Sequence, residues 1–323
     1  MNHPATVSSS GTFMPAKPSH TGLMFGGVLA VGLVAPFVAY PTFLMKLLCF
    51  ALFASAFNLL LGFAGLLSFG HAAFFGGAAY VCAWLVKEAG WSPGLGLVAG
   101  TVVGGLLGAI FGWVAIRRAG IYFAMITLAL AQLVFFLALQ LPFTGGEDGL
   151  QGVPRGTLFG IDLSNNTAMY YFVFAVFFAG FWLIHRTVHS PFGQVLKAIR
   201  ENEPRAISLG YQVERYKLLA FVISAALAGL AGSLKALVFQ LASLTDVHWH
   251  MSGEVVLMTL LGGLGTIFGP AGGASGIVIL QNELADKVGQ WVTVIMGAIF
   301  VICVLAFRRG IVGELQALRA RLG

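Results

Sequence analysis

The chain has 323 residues, 58% hydrophobic and 9% charged, with a formal net charge of +6 and a mean hydropathy of +0.90. A soluble domain carries about 25% charged residues, so these proportions exclude a water-soluble globule that hides all its apolar side chains in one core. The apolar runs also lack the alternation of a β-barrel strand, so each backbone must satisfy itself within a helix. The fold class predicted is an all-α polytopic membrane helix bundle of about 8–10 transmembrane helices with broken or re-entrant glycine-rich segments.

In chain order, residues 1–22, "MNHPATVSSSGTFMPAKPSHTG", are polar and read as a disordered cytoplasmic tail. The first apolar run starts near residue 23 and is long enough to span, so it reads as a retained anchor, not a signal peptide. Spans are predicted at 23–40, 42–64, 66–86, 93–116, 120–141, 168–185, 217–239 and 290–307, with 254–284 apolar but broken. The membrane domain thus covers 23–307, and a basic tail covers 308–323. Glycine numbers 43, about twice the usual share, which suits close helix packing. Cys49, Cys82 and Cys303 sit alone in apolar runs and read as small packing residues.

Basic residues set the orientation. Arg117 and Arg118, the 186–217 loop and the tail with Arg308, Arg309, Arg319 and Arg321 are expected inside. The 142–167 loop, with Glu147, Asp148 and Asp162 against Arg155, is expected outside. Both termini are then cytoplasmic, provided that 254–284 leaves and returns to one side. About thirty residues with "GGLGTIFGPAGG" at their centre suggest two half-helices meeting near mid-membrane; one long tilted span is the alternative. A weak internal repeat points the same way. "GFAGLLSFGHA" from Gly62 resembles "GGLGTIFGPA" from Gly262, each with G-x-x-G followed by F-G-x-A. Repeats carrying interrupted helices often mark a substrate path.

Chemistry is sparse. No lysine is followed by Ser or Thr, so there is no phosphate-cradling Walker A loop. Lys46, Lys235 and Lys287 lie near span ends, where their stems can snorkel. His71 in "SFGHAAF" is open to three roles: helix packing, pathway lining or proton carriage. "TDVHWHMSGE" offers Asp246, His248, His250 and Glu254 as metal ligands, but an interfacial belt around Trp249 in an outer loop is the simpler reading. "SNNT" at 164–167 reads as the cap of the helix that follows. No cofactor, metal or nucleic-acid partner is expected; membrane lipid is.

"AIRENEPRAISLGYQVERYKLLAF" concentrates charge in a chain that otherwise avoids it. Pro204 suits a first helical position and Gly210 a left-handed stop, which predicts a short helix exposing Ala206, Ile207 and Leu209. Mixed charge suits docking into a groove on a soluble partner better than lipid binding; a solvated loop is the alternative.

The chain resembles the inner-membrane permease family of ABC importers for branched-chain amino acids and related amides. The resemblance rests on "NLLLGFAGLLSFGHAAFFGGAAY" (58–80), "TLALAQL" (127–133), "TGGEDGLQGVP" (144–154), the 198–234 segment and "SGEVVLMTLLGGLGTIFGPAGGA" (252–274). It implies a non-enzymatic subunit that pairs with a second permease, two cytoplasmic ATP-binding subunits and an extracytoplasmic substrate-binding protein. It further implies an ATPase-coupling role for Arg200, Glu201, Asn202, Glu203, Ala206 and Gly210. Gly62, Gly65, Gly70, His71, Thr144, Gly145, Gly146, Gly262, Gly263, Gly265 and Pro270 would line or brace the pathway. Pro204 and Arg205 depart from the small or apolar residues expected there. A stand-alone channel or ion-coupled carrier is the competing reading.

Overall fold

Segments that are apolar on every face leave the backbone no partner but itself, and helix dominates the structure accordingly. The computed structural model describes residues 20–291 except 159, together with 294, 295, 297, 298 and 301. The expected tails at 1–19 and 308–323, most of the 290–307 span and Cys303 lie outside the described residues. The helices are α1 His20–Val38, α2 Pro41–Asn58 with a π-helical turn Leu59–Ala64, α3 His71–Lys87, α4 Pro93–Ala115, α5 Ile121–Gln140 and α6 Asn166–His189. There follow α7 Pro191–Glu201, α8 Glu203–Ser208, α9 Val213–Phe239, α10 Leu244–Val247, α11 Trp249–Gly262 and α12 Gly269–Val288. Among the described residues, five helical stretches are long and apolar enough to cross a membrane: Pro41–Ala64, Pro93–Ala115, Ile121–Gln140, Asn166–His189 and Val213–Phe239. The chain is an all-α, multi-pass membrane bundle.

Helix starts follow local chemistry. Proline occupies the first turn of α2, α4, α7, α8 and α12, where its missing N–H costs nothing. Asn165 accepts from the Thr167 amide at 2.9 Å, the cap that "SNNT" suggested.

The 27-residue α9 is the spine of the bundle. α3 runs parallel to it, with Ser224 beside His71 and Ser233 beside Ala78. α4 runs antiparallel, with Gly100 against Ser233, Gly104 against Gly229 and Gly112 against Leu218. Glycines 96, 100, 104, 108 and 112 recur every four residues, so they form one stripe on α4. A Cβ on Gly104 would lie 2.9 Å from the Ala225 carbonyl oxygen and 3.0 Å from Gly229 Cα. The backbones themselves touch there, and small residues are what permits it. Outward, α4 and α5 expose Val98, Val102, Leu106, Ile110, Met125, Leu133 and Phe136, as lipid-facing surfaces should.

At the end of the bundle away from α7 and α8, short strands knit the loops. β1 (Leu150–Gln151) pairs antiparallel with β4 (Leu241–Ala242), and β2 (Thr157–Leu158) with β3 (Ile161–Asp162). Arg155 donates to Asn166 Oδ1 at 2.7 Å and to the Val238 carbonyl at 2.8 Å.

Several expectations need correction. The span expected at 66–86 is interrupted: Gly65–Gly70 is not helical and α3 starts at His71. The broken region is longer than 254–284, running as α11 and α12 over 249–288. The two helices lie antiparallel, with Gly273 against Gly262. Their connection lies beside α7 and against Asn58 and Gly62 of the Pro41–Ala64 stretch. α12 alone has 20 residues, about 30 Å, so the segment need not turn back halfway. "TDVHWHMSGE" forms α10 and the start of α11 and is not a loop. Lys235 does not snorkel; it pairs with Asp246 at 2.6 Å. That pairing also turns Asp246 away from a metal-ligand role with His248 and His250, and among the described residues no His, Cys, Asp and Glu cluster is fit to hold a metal.

Candidate functional site

The two glycine-rich repeats each place a left-handed glycine at the fourth position of G-x-x-G, and they meet. In the first, Gly65 has φ +74°, and a helix restarts after Gly70 at φ −85° and ψ −8°. In the second, Gly265 has φ +73°, and a helix restarts after Phe268 at φ −89° and ψ −18°. Left-handed φ at the fourth position of each G-x-x-G explains why glycine stands there. The breaks touch directly: a Cβ on Gly62 would lie 2.7 Å from the Gly265 amide nitrogen. Asn58, at the end of α2, stitches them together. Its Nδ2 donates to the Thr266 carbonyl at 2.8 Å, and its Oδ1 accepts from the Gly265 amide at 3.1 Å. Asn58 is 2% exposed, and sequence reasoning missed it. The available signal was a lone amide side chain at the head of "NLLLGFAG", where an unpaired polar group would be costly.

Gly62, Gly65, Gly262, Gly263, Gly265 and Pro270 are therefore one constellation. Gly262 and Gly263 end α11, and a Cβ on Gly262 would lie 2.8 Å from Pro270 N. Gly70 and His71 stand just beyond the first break and pack sideways, Gly70 against Phe111 and His71 against α9. Ser224 Oγ donates to the Ala56 carbonyl at 2.6 Å, so in the 2.9 Å contact with His71 it is Nε2 that donates. His71 is fully buried against Phe57 and Phe74 with ring centroids 4.8 and 5.4 Å away, and its Nδ1 has no partner among the described residues. This chain of bonds joins α2, α3 and α9.

Thr144, Gly145 and Gly146 are not part of that constellation. They close the far end of α5, where the single Thr144 hydroxyl proton is within reach of the Leu141 carbonyl at 2.6 Å or the Ala138 carbonyl at 2.5 Å. Gly145 and Gly146 are both left-handed.

The charged segment holds two helices, of which α7 was not foreseen; α6 also continues through Arg186 to His189. Pro204 lies in the first turn of α8, but the helix already starts at Glu203, and the extended residue is Asn202 (φ −155°, ψ 94°). Asn202 Oδ1 accepts from the Arg205 amide at 3.0 Å, a cap that outweighs the bias proline places on Glu203. Glu203 pairs with Lys217 at 2.7 Å. Gly210 ends the helix region at φ +87°, as expected. Ala206 corrects the expected exposed face: it is 2% exposed, packed with Ile199 and Val213, so that α7, α8 and the start of α9 form one small core. Ile207 and Leu209 do face outward.

Arg200 connects this segment to the breaks. Its Nη1 donates to the Gly62 carbonyl. The same Nη1 would lie 3.2 Å from a Cβ on Gly265, and its Cγ 3.1 Å from a Cβ on Gly65. Lys197, one turn earlier, stands over the Phe63 ring at 5.7 Å. Together with Glu201 these residues line an open cavity of about 370 Å³.

Residues 40–304 match the family described as "Branched-chain amino acid transport system / permease component", and the chain belongs to that family. It is 28% identical to the high-affinity branched-chain amino acid transport system permease protein LivM of Salmonella typhimurium, over 77% of this chain and 64% of that protein. LivM of Escherichia coli gives the same identity and coverage. The autoinducer 2 import system permease protein LsrC of Klebsiella pneumoniae is 28% identical over 53% of this chain and 50% of its own length. The chain thus spans less than two thirds of the length of these relatives. No solved structure gives a significant match.

Proposed function

We propose that this family member is the membrane-spanning permease subunit of an ABC importer in the inner membrane, forming the pathway for branched-chain amino acids or related small amino acids and amides. The observation that carries the reading is the contact between the charged α7–α8 segment and both helix breaks, made by Arg200. A transporter driven from outside its own chain needs a soluble-facing element tied mechanically to its pathway, and this segment has that form.

In this reading both termini and α7–α8 face the cytoplasm. Two ATP-binding subunits dock on Glu201, Asn202, Ile207, Leu209 and Gly210, and a second permease completes the pathway. A binding protein delivers substrate at the opposite face, near Thr144–Gly146. Closure of the ATPases on ATP displaces α7–α8, and the paired breaks around Gly62, Gly65 and Gly265 shift with it. Glycine suits such a joint because two backbones can approach and part with no side chain between them. Gly70 and His71 brace the helices that flank the joint, which favours packing over proton carriage. ATP hydrolysis belongs to the partners, and this chain performs no chemistry of its own.

Affinity purification of the tagged chain from gently solubilised membranes tests the reading. Recovery of an ATPase and a second permease, with ATP-dependent uptake of labelled leucine after reconstitution, is the expected result. Recovery of the chain alone, with uptake driven by an ion gradient, would replace this reading with that of a carrier.

A further inference from the structure

The π-helical turn that opens the first repeat has a carbonyl left over. Both amides that follow the π-helical turn, those of Gly65 and Leu66, turn back to the same acceptor, the Leu60 carbonyl. The Gly62 carbonyl is one of those at the negative end of the helix, where a cation is favoured. Arg200 supplies that cation from another element, 138 positions away. The fit depends on absent side chains: any Cβ at Gly65 would press on the Arg200 stem, and any Cβ at Gly265 would press on its guanidinium. Arg200 is nonetheless exposed as a residue, so one side of it remains open to a partner. Its helix is anchored, because Ile199 and Leu196 are buried and Ile199 shares a core with Ala206 and Val213. Movement of α7–α8 therefore moves Arg200 as part of a block.

We propose that Arg200 is the positioning residue that transmits motion of the α7–α8 block to the two glycine breaks. Bonded to the Gly62 carbonyl and lying against Gly265, it holds both breaks in the arrangement described, and its withdrawal releases them together. The proposal rests on the permease reading and adds the physical link within it. Arginine suits this role better than lysine, because one nitrogen can bond the carbonyl while the planar group covers the neighbouring glycine.

The geometry supplies the test. A Cβ on Gly65 would lie 3.6 Å from Arg200 Cβ, inside the ~3.5–4.5 Å that a disulfide requires. The variant Gly65→Cys/Arg200→Cys is made in a background with Cys49, Cys82 and Cys303 changed to alanine. It is studied as the assembled transporter in membrane vesicles. Without nucleotide, mild oxidation should form the disulfide and abolish the reduced ATP-dependent uptake of labelled leucine that a chain without Arg200 retains, and reduction should return uptake to that lower level. With ATP and vanadate, disulfide formation should slow by about tenfold or more. Equal rates in both nucleotide states, no disulfide at all, or uptake that survives the disulfide would each overturn the proposal.

Single variants cover the case in which the double variant does not assemble. Arg200→Ala should keep ATP hydrolysis in the complex while uptake per ATP falls about tenfold, with partial recovery in Arg200→Lys. Equal uptake per ATP in all three proteins would also overturn it. Failure of the parent protein to show any ATP-dependent uptake would instead remove the permease reading, and disulfide yield in unenergised membranes would still report whether the two residues touch.

Discussion

Asn58 and Thr266 are 208 positions apart, and the Asn58 side chain donates to the Thr266 carbonyl at 2.8 Å. The same side chain accepts from Gly265, so one amide satisfies two backbone groups that a broken helix would otherwise leave unpaired. The internal repeat is thereby more than a likeness of sequence. Its two copies both turn at a left-handed glycine and are fastened to each other by a residue outside either motif.

Replacing Asn58 should loosen the joint. Asn58→Ala leaves the Gly265 amide and the Thr266 carbonyl without partners, at about 1–3 kcal/mol each if they stay buried. We expect a clear loss of thermal stability in detergent. Asn58→Asp keeps the acceptor but loses the donor and buries a carboxylate beside the Thr266 carbonyl, so it should be no more stable than Asn58→Ala. Thermal unfolding followed by near-UV circular dichroism ranks the three; equal midpoints would show that the stitch carries no weight.

Gly104 and Gly105 are neighbours with opposite predicted responses. A Cβ on Gly104 meets backbone atoms of Ala225 and Gly229 at 2.9 and 3.0 Å, which cannot move without parting the helices. On Gly105 a Cβ meets only the Ala226 methyl, at 3.4 Å. Alanine gains up to about 1 kcal/mol over glycine in helix propensity. Gly105→Ala should therefore be neutral or stabilising, whereas Gly104→Ala should destabilise by about 1–3 kcal/mol through overpacking. The same unfolding assay checks both, and a destabilised Gly105→Ala with an intact Gly104→Ala would reverse the assignment of faces on α4.

Much of this architecture was legible in the sequence, because hydropathy reports what each helix must avoid. The α2, α4, α5 and α9 spans were found by their apolar runs, and the α8 stop was found from Gly210. Depth and partnership were less visible. The first break is expected at Gly65 alone, between the 42–64 and 66–86 spans, because "LLSF" is as apolar as its surroundings and gives no sign that the non-helical stretch runs on to Gly70. α7 hid because its face of Gly193, Leu196 and Ile199 is short and mixed with charge. Ala206 was placed outside because a small residue among charges gives no sign of the Ile199 and Val213 that cover it. The family resemblance implies a coupling role for Arg200, yet its contact with Gly62 depends on chain 138 residues away, which no local pattern encodes.

Lys235 and Asp246 form a buried pair whose two halves should not be equally dispensable. The Asp246 side chain is 2% exposed, and Ser243 gives it hydrogen bonds at 3.0 and 3.3 Å. The Lys235 side chain is 12% exposed and also stands 5.8 Å from the Phe239 ring. Removing one partner of a buried pair costs about 3–5 kcal/mol. Lys235→Ala strands the deeper charge and should be the worse single change. Asp246→Ala leaves a lysine that can reach toward the surface. Lys235→Met with Asp246→Leu should recover most of the loss. A double variant as unstable as the sum of the singles would mean that the pair is not coupled.

Ala206 and Ile207 are adjacent, yet one should report folding and the other docking. Ala206 is 2% exposed and Ile207 is 58% exposed. Ala206→Glu forces a carboxylate into the core shared with Ile199 and Val213 and should destabilise the protein by several kcal/mol, at least ~3. Ile207→Glu alters an exposed side chain and should shift stability by no more than about 0.5 kcal/mol. If α7–α8 is the ATPase dock, Ile207→Glu should nevertheless reduce recovery of the ATPase about tenfold, because a carboxylate has replaced an apolar anchor in a partner groove. Leu209→Glu, at 68% exposure, should behave the same way. Measuring midpoint temperature and ATPase recovery on the same preparations separates the two effects. Normal recovery with both Ile207→Glu and Leu209→Glu would move the dock away from α8.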